Sequence, residues 1–220
     1  MTAPANALPG DDDRQGVLAI WHDINASREA EFESWYRNEH FPERLAVPGF
    51  RIGRRFEAVS GTPRYFCFYV TDTPGVLTSA PYLARLNHPT PLTRAMMTDT
   101  FRNMHRTVCR RAQRRGAHSG ALAVTARFTS APDGSQVRAV LDRFDGAEGV
   151  ARCEYWVAAE EGQGIASEEA LRGRDQKIAA CFVVETLRLT DAERVSGALA
   201  AAFGDSAAIG TYRLLCELRS

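Results

Sequence analysis

An internal echo constrains this chain more than any other feature. Residues Gly16–Ile24 (GVLAIWHDI) reappear, nearly position for position, as Gly120–Phe128 (GALAVTARF). Each copy opens the same order of strand, helix, strand, strand, helix, strand. In the first copy the strand 16–24 leads to a helix that Asn25 or Ser27 can cap. Strands over 50–60 and 64–71 follow, joined by the turn Gly61-Thr62-Pro63, then two short helices interrupted at Asn87–Pro91, then a strand over 101–111. In the second copy Asp133 precedes an amphipathic helix carrying Val137, Val140, Leu141 and Phe144. A strand over 151–158 comes next, then a polar, Gly-rich stretch (160–174) that reads as a mobile loop. Cys181–Val184 sets itself against Cys67–Val70, Asp191 caps a helix through Phe203, and Cys216 in the last strand stands against Cys109. The chain therefore reads as a tandem duplication: a disordered tail over 1–14, repeat one over 15–111, a linker over 112–119 and repeat two over 120–220.

This element order is the ferredoxin-like plan, an α+β fold in which helices cover one face of a four-stranded antiparallel sheet. The other face is left bare and must be buried. Two such sheets in one chain can bury each other, so an intramolecular α/β barrel with a cavity between the sheets is expected. Two halves that dimerise separately are the alternative.

Formal net charge is zero and the pI is about 7.0, which points away from nucleic acid and anionic membranes as partners. A small-molecule substrate is the expected partner, and a homodimer stays open. The start of the chain has no basic, long apolar leader, and no apolar run approaches a membrane span. Five cysteines, all single and without a CxxC pair, indicate reduced buried thiols in a cytoplasmic protein. No metal set is indicated: Tyr36–His40 resembles H-x-x-E-H with Tyr in place of the first ligand. No G-x-G-x-x-G or P-loop pattern follows a strand, so no cofactor is called for. The arginine run from Arg102 to Arg115 reads as a strand edge guarded by charge.

The duplication provides its own control for locating a site. All five histidines lie in the first repeat or the linker. Where the first repeat has Trp21-His22-Asp23, the second has Thr125-Ala126-Arg127. Phe32, Trp35, Tyr36, Glu39 and His40 share one helical face, and the Phe41-Pro42 step is expected to break the helix just after His40. That would leave His40 as a partly exposed group at a helix C-terminus, where the dipole favours its charged form. His40 and His22 are the candidate acid and base. Asp23 or Glu39 could orient an imidazole, and Tyr65 or Tyr69 could donate to a developing oxyanion. Arg54 and Arg55 point to opposite faces, so one of them could hold a carboxylate or enolate, with Arg54 the candidate. Trp35, Tyr36 and His105 complete the expected binding surface. Each of these residues also has a purely structural reading, as core aromatic, cap or solvated charge.

Trp35-Tyr36, then Glu39–Arg44 (EHFPER), Val47–Phe50 (VPGF) and Arg54-Arg55-Phe56 resemble the EthD-like branch of the dimeric α/β-barrel superfamily. Leu77–Leu83 and Asn87–Pro91 resemble segments of the same proteins. The resemblance covers residues 16–111, and the second repeat follows it in plan. It implies a barrel fold and points to His40, the histidine of the His-x-Pro motif, as catalytic. The superfamily includes cofactor-free isomerases, cyclases, lyases and monooxygenases, haem-binding members and barrels without a clear reaction. A cofactor-free acid–base enzyme, an isomerase or lyase acting on a small carbonyl, lactone or polyketide-like substrate, is the expectation. A cofactor-free or haem-dependent monooxygenase and a non-catalytic binding barrel are the alternatives.

Overall fold

The computed structural model describes residues 14–159 and 167–220. Nearly all of the expected tail, and the start of the expected mobile loop, lie outside them. The first half contains β1 (Gly16–Ile24), α1 (Glu29–Trp35), a π turn (Tyr36–His40), α2 (Phe41–Leu45), β2 (Phe50–Ser60), β3 (Tyr65–Thr71), α3 (Ala80–Asn87), α4 (Pro91–Asp99) and β4 (Phe101–Arg115). The second contains β5 (Leu122–Phe128), α5 (Gly134–Phe144), β6 (Val150–Ala158), α6 (Ser167–Arg172), β7 (Ala180–Thr186), α7 (Leu189–Phe203) and β8 (Ala208–Arg219). So 167–172, expected in the mobile loop, is helical, and 112–115, expected in the linker, extends β4. Arg188, rather than Asp191, precedes α7 as its cap position.

The strands close a barrel in the order β1-β3-β2-β8-β5-β7-β6-β4. Each half forms its own four-stranded ferredoxin-like sheet, and antiparallel pairing of β2 with β8 and of β4 with β6 joins the two. β4 pairs with β1 over Phe101–Arg110 and with β6 over Cys109–Arg115. The charge-guard reading is corrected for Arg111, which is buried against Glu154 at 2.9 Å.

Strand alternation divides the side chains between two cores. Leu18, Cys67 and Tyr69 face the helices of the first half. Val17, Ala19, Trp21, Phe66, Phe68 and Val70 face into the barrel. There Trp21 stacks on Phe66 at 4.8 Å, Phe56 on Phe66 at 5.3 Å, and Phe68 meets Trp156 at 5.1 Å. Aromatic rings thus occupy the space between the sheets where a cavity was expected. Towards one end, Arg54 lies 2.5 Å from Glu185 and Arg152 lies 3.2 Å from Glu154.

The helix does not break after His40. Phe41 is helical and donates its N–H to Tyr36 O, the i→i+5 bond of a widened turn, and α2 continues to Leu45. A proline ring ordinarily crowds the preceding turn, and the widened turn gives Pro42 the room it needs. His40 consequently points inward and is buried. Trp35 Nε1 donates to Thr93 Oγ1 at 3.0 Å, and Thr93 Oγ1 donates to Glu39 at 2.8 Å, so this turn is pinned to α4. The cysteine echo between β3 and β7 is out of register by an odd number of residues. Cys67 pairs with Ile20 and faces the helices, whereas Cys181 pairs with Arg127 and faces the barrel. An odd slip reverses every side chain. Cys216 likewise packs towards the helix layer while Cys109 faces inward.

Candidate active site

The recess that gathers the first half's polar groups lies between its sheet and its helices, outside the barrel. β1 contributes His22, β3 contributes Tyr69 and Cys67, and the π turn contributes Tyr36 and His40. α2 adds Arg44, and β4 adds Phe101 and Arg106 from its outward face. Among the described residues only α6 reaches in from the second half, bringing Arg172. The expectation that the second repeat forms the opposite wall is corrected accordingly. The recess has a cavity volume of about 30 Å3. It is a narrow slot.

His22 is fully buried, lying face to face with Tyr65 at 5.3 Å and meeting the edges of Phe101 at 4.9 Å and Phe32 at 5.7 Å. Its Nδ1 lies 3.3 Å from Asp23 O. A carbonyl only accepts, so Nδ1 carries the proton and Nε2 keeps its lone pair. That Nε2 is buried and has no protein partner. Burial, and then the Arg55 charge, push the His22 pKa down to about 3. His40 sits 4.5 Å from the Trp35 ring and 5.1 Å from Tyr36, and its buried Nδ1 has no protein partner. Burial drives its pKa well below the ordinary value, reinforced by Arg44 and Arg172. Both imidazoles are therefore neutral near pH 7. The expected cationic His40 is overturned because desolvation and nearby guanidinium groups outweigh any helix dipole.

Tyr36 and Tyr69 share a hydrogen bond of 3.1 Å between their hydroxyls. One must donate to the other, which leaves the accepting hydroxyl with a proton of its own. Burial raises both pKa values, so both are protonated. Arg106 donates to Tyr82 OH at 2.9 Å, and Arg172 is held by Asp175 through contacts of 2.6 and 3.0 Å. Arg55 stands behind the slot: Glu33 binds both ends of its guanidinium, which lies 4.6 Å from the Tyr36 ring and 4.7 Å from Tyr65. No carboxylate lines the recess among the described residues.

Of the residues singled out from sequence, His22, His40, Tyr36 and Tyr69 come together at the slot. Trp35 and Tyr65 form the layer behind them. Asp23 does not face the slot: its carboxylate accepts the Arg64 backbone N–H at 2.6 Å and Asn103 Nδ2 at 2.8 Å, and only its carbonyl touches His22. Glu39 accepts from Thr90 and Thr93 rather than from an imidazole. Arg54 points into the barrel against Glu185 and Glu217, so Arg55 is the member of the pair beside the site. His105 lies one residue from both Met104 and Arg106, which line the slot, and strand alternation turns it away. Arg44, Arg106, Arg172 and Tyr82 were missed. Arg44 stood inside the EHFPER motif without a signal of its own, and nothing in the spacing tied Arg172 to the first half.

The sequence matches no family model and no curated protein. Solved structures share the fold across nearly the whole chain. A "Putative monooxygenase" from Fusobacterium nucleatum superposes with a TM-score of 0.58 at 7% identity, covering 94% of this chain and 95% of that one. An anthrone oxidase-like protein gives 0.57 at 9% identity, covering 95% and 94%. A "Putative Chlorite dismutase" gives 0.52 at 11% identity, covering 92% and 95%. The fold is thus that of the dimeric α/β barrels, closed here within one chain.

Proposed function

We propose that the recess binds a small, flat, weakly acidic organic molecule, a phenol or an enolisable carbonyl compound, and removes its proton. The observation that carries this reading is a pair of buried neutral imidazoles facing a slot with three arginines and no lining carboxylate. A neutral imidazole can accept a proton. Transfer from a neutral acid creates an imidazolium and an organic anion together, leaving the net charge of the slot unchanged. Arg44, Arg106 and Arg172 favour the anion, and the Tyr36–Tyr69 pair, which also meets Cys67, lies where a hydroxyl can turn to its oxygen. Reprotonation at another atom would make the protein an isomerase, and elimination would make it a lyase. The EthD-like assignment of the first half belongs to this proposal and rests on the EHFPER and VPGF segments.

A second reading is oxygenation of the same anion, favoured by the similarity to structures described as a "Putative monooxygenase" and as anthrone oxidase-like. A haem-binding protein from Thermus thermophilus is also similar, with a TM-score of 0.51 at 10% identity. The slot does not fit haem. Both slot histidines are packed against aromatic rings, so neither presents an open ring face to a macrocycle.

The test is hydrogen–deuterium exchange of acidic C–H groups in a panel of anthrones, β-diketones and unsaturated lactones, followed by NMR beside an oxygen electrode. Exchange that falls by about two to four orders of magnitude in His22→Gln or His40→Gln supports the reading. Oxygen uptake with the same dependence selects the second. Tight binding without exchange or uptake would leave a binding barrel and overturn both.

A further inference from the structure

A second polar cluster lies inside the barrel, on the opposite face of β1 from the slot. Thr125 and Arg127 share the inward face of β5 with Ala123. Arg127 is 8% exposed, and Trp21, Thr125 and Tyr212 are fully buried. The Arg127 guanidinium lies 5.3 Å from the Trp21 ring and donates through Nη2 to Thr62 O at 2.6 Å. Its Nε and Nη1 are buried without a protein partner, as is Trp21 Nε1, while Thr125 Oγ1 and Tyr212 OH lie against each other.

The other buried arginines show what is unusual here. Four of the five, Arg54, Arg55, Arg111 and Arg152, lie against a carboxylate, at 2.5, 2.5, 2.9 and 3.2 Å, and the fifth, Arg44, belongs to the slot. Among the described residues no carboxylate comes within ion-pair distance of Arg127. Asp23 is engaged by the Arg64 N–H and by Asn103. His105, half-buried, has its pKa lowered by burial and then by Arg127, so it supplies no negative charge. A buried charge is costly unless something of opposite sign meets it. The unpartnered nitrogens are donors, and the Thr125–Tyr212 hydroxyl pair keeps one further proton to donate. One positive charge ringed by donors in a closely packed interior selects a small monovalent anion over a phosphate or an extended acid.

We propose that Trp21, Thr125, Arg127 and Tyr212 form an internal site for one halide-sized anion. Trp21 comes from the first half and the other three from the second, so the anion would join the two sheets. The inference is independent of the chemistry at the slot.

The test combines melting curves with crystallography. Sodium chloride or bromide is titrated against sodium gluconate at constant ionic strength, gluconate being too large to enter. The wild type is expected to melt higher in halide, saturably, by about 3–6 °C at ten times the half-saturating concentration. Arg127→Met and Thr125→Val are expected to abolish or weaken that dependence. Crystals grown in bromide should show an anomalous peak within hydrogen-bond distance of Trp21 Nε1 and Arg127 Nε. That peak decides the matter even if Arg127→Met does not fold. No peak there, whatever the melts show, means that water satisfies these groups and overturns the proposal. Peaks confined to the surface mean an adventitious ion only and overturn it equally.

Discussion

Replacing His22 with Phe tests the slot's electrostatics through stability alone, with no substrate needed. The ring keeps the shape that packs against Tyr65, Phe32 and Phe101, and removes the titrating nitrogens. In the folded protein the His22 pKa lies at about 3, against an ordinary value of 6.5. Between those values the unfolded chain binds a proton that the folded chain refuses. The stability due to neutral His22 is therefore fully present above about pH 6.5 and is lost as pH falls. Each pH unit in that window removes about 1.4 kcal/mol, so about 2 kcal/mol is gone by pH 5. Most carboxylates are still ionised at pH 5, which keeps the window specific to histidine. His40 loses stability in the same direction and is common to both proteins, as is the smaller effect of His105. Urea melts at pH 8 and pH 5 should show the wild type losing about 2 kcal/mol more than His22→Phe, or about 4–8 °C in thermal melts. Equal losses would mean that His22 titrates normally in the folded state, and the argument for a neutral imidazole there would fail.

Glu185→Gln removes the carboxylate shared by Arg54 and Arg152 inside the barrel, and should cost about 3–5 kcal/mol in a urea melt because buried guanidinium charge is left unmatched. A Cβ at Gly53 would lie 2.3 Å from Phe41 Cε2 and 3.0 Å from Leu45. Gly53→Ala should therefore push α2 outward, destabilise by about 1–3 kcal/mol, and displace Arg44 enough to weaken ligand binding at the slot. Cys67, Cys109, Cys153 and Cys181 are buried and Cys216 is partly exposed, so a thiol reagent should modify one cysteine readily in the native protein and five after unfolding.

The fold was legible because a duplicated alternation fixes both the strand order and the face each strand buries. Leu18 and Ile20 parted from Val17 and Trp21 as alternation demands, and so did Tyr65, Cys67 and Tyr69 from Phe66 and Phe68. The histidine-bearing half is the one whose Tyr36, His40, Tyr69 and His22 meet at the recess. The location of the recess outside the barrel was not legible, because inward-facing aromatics on five strands fill the interior only once their volumes are packed together. Pro42 misled because a proline signals a helix end locally, whereas a π turn accommodates it through one shifted hydrogen bond. Arg54 and Arg55 were equivalent in sequence, and only the pairing of β2 with β3 and β8 assigns them to their faces. Arg172 enters from a helix more than 120 residues beyond His40, a contact that periodicity cannot carry.

The charge state of the two slot imidazoles is the central claim, and nitrogen-15 NMR of labelled histidine side chains reads it directly. Spectra from pH 8 down to pH 5 should show His22 as a neutral ring protonated on Nδ1, with His40 also neutral and neither shifting. His22→Phe and His40→Gln assign the signals. If either slot histidine titrates with a midpoint between pH 6 and 7, the imidazole is not held neutral by burial and the neighbouring arginines, and this account of the slot's electrostatics is contradicted.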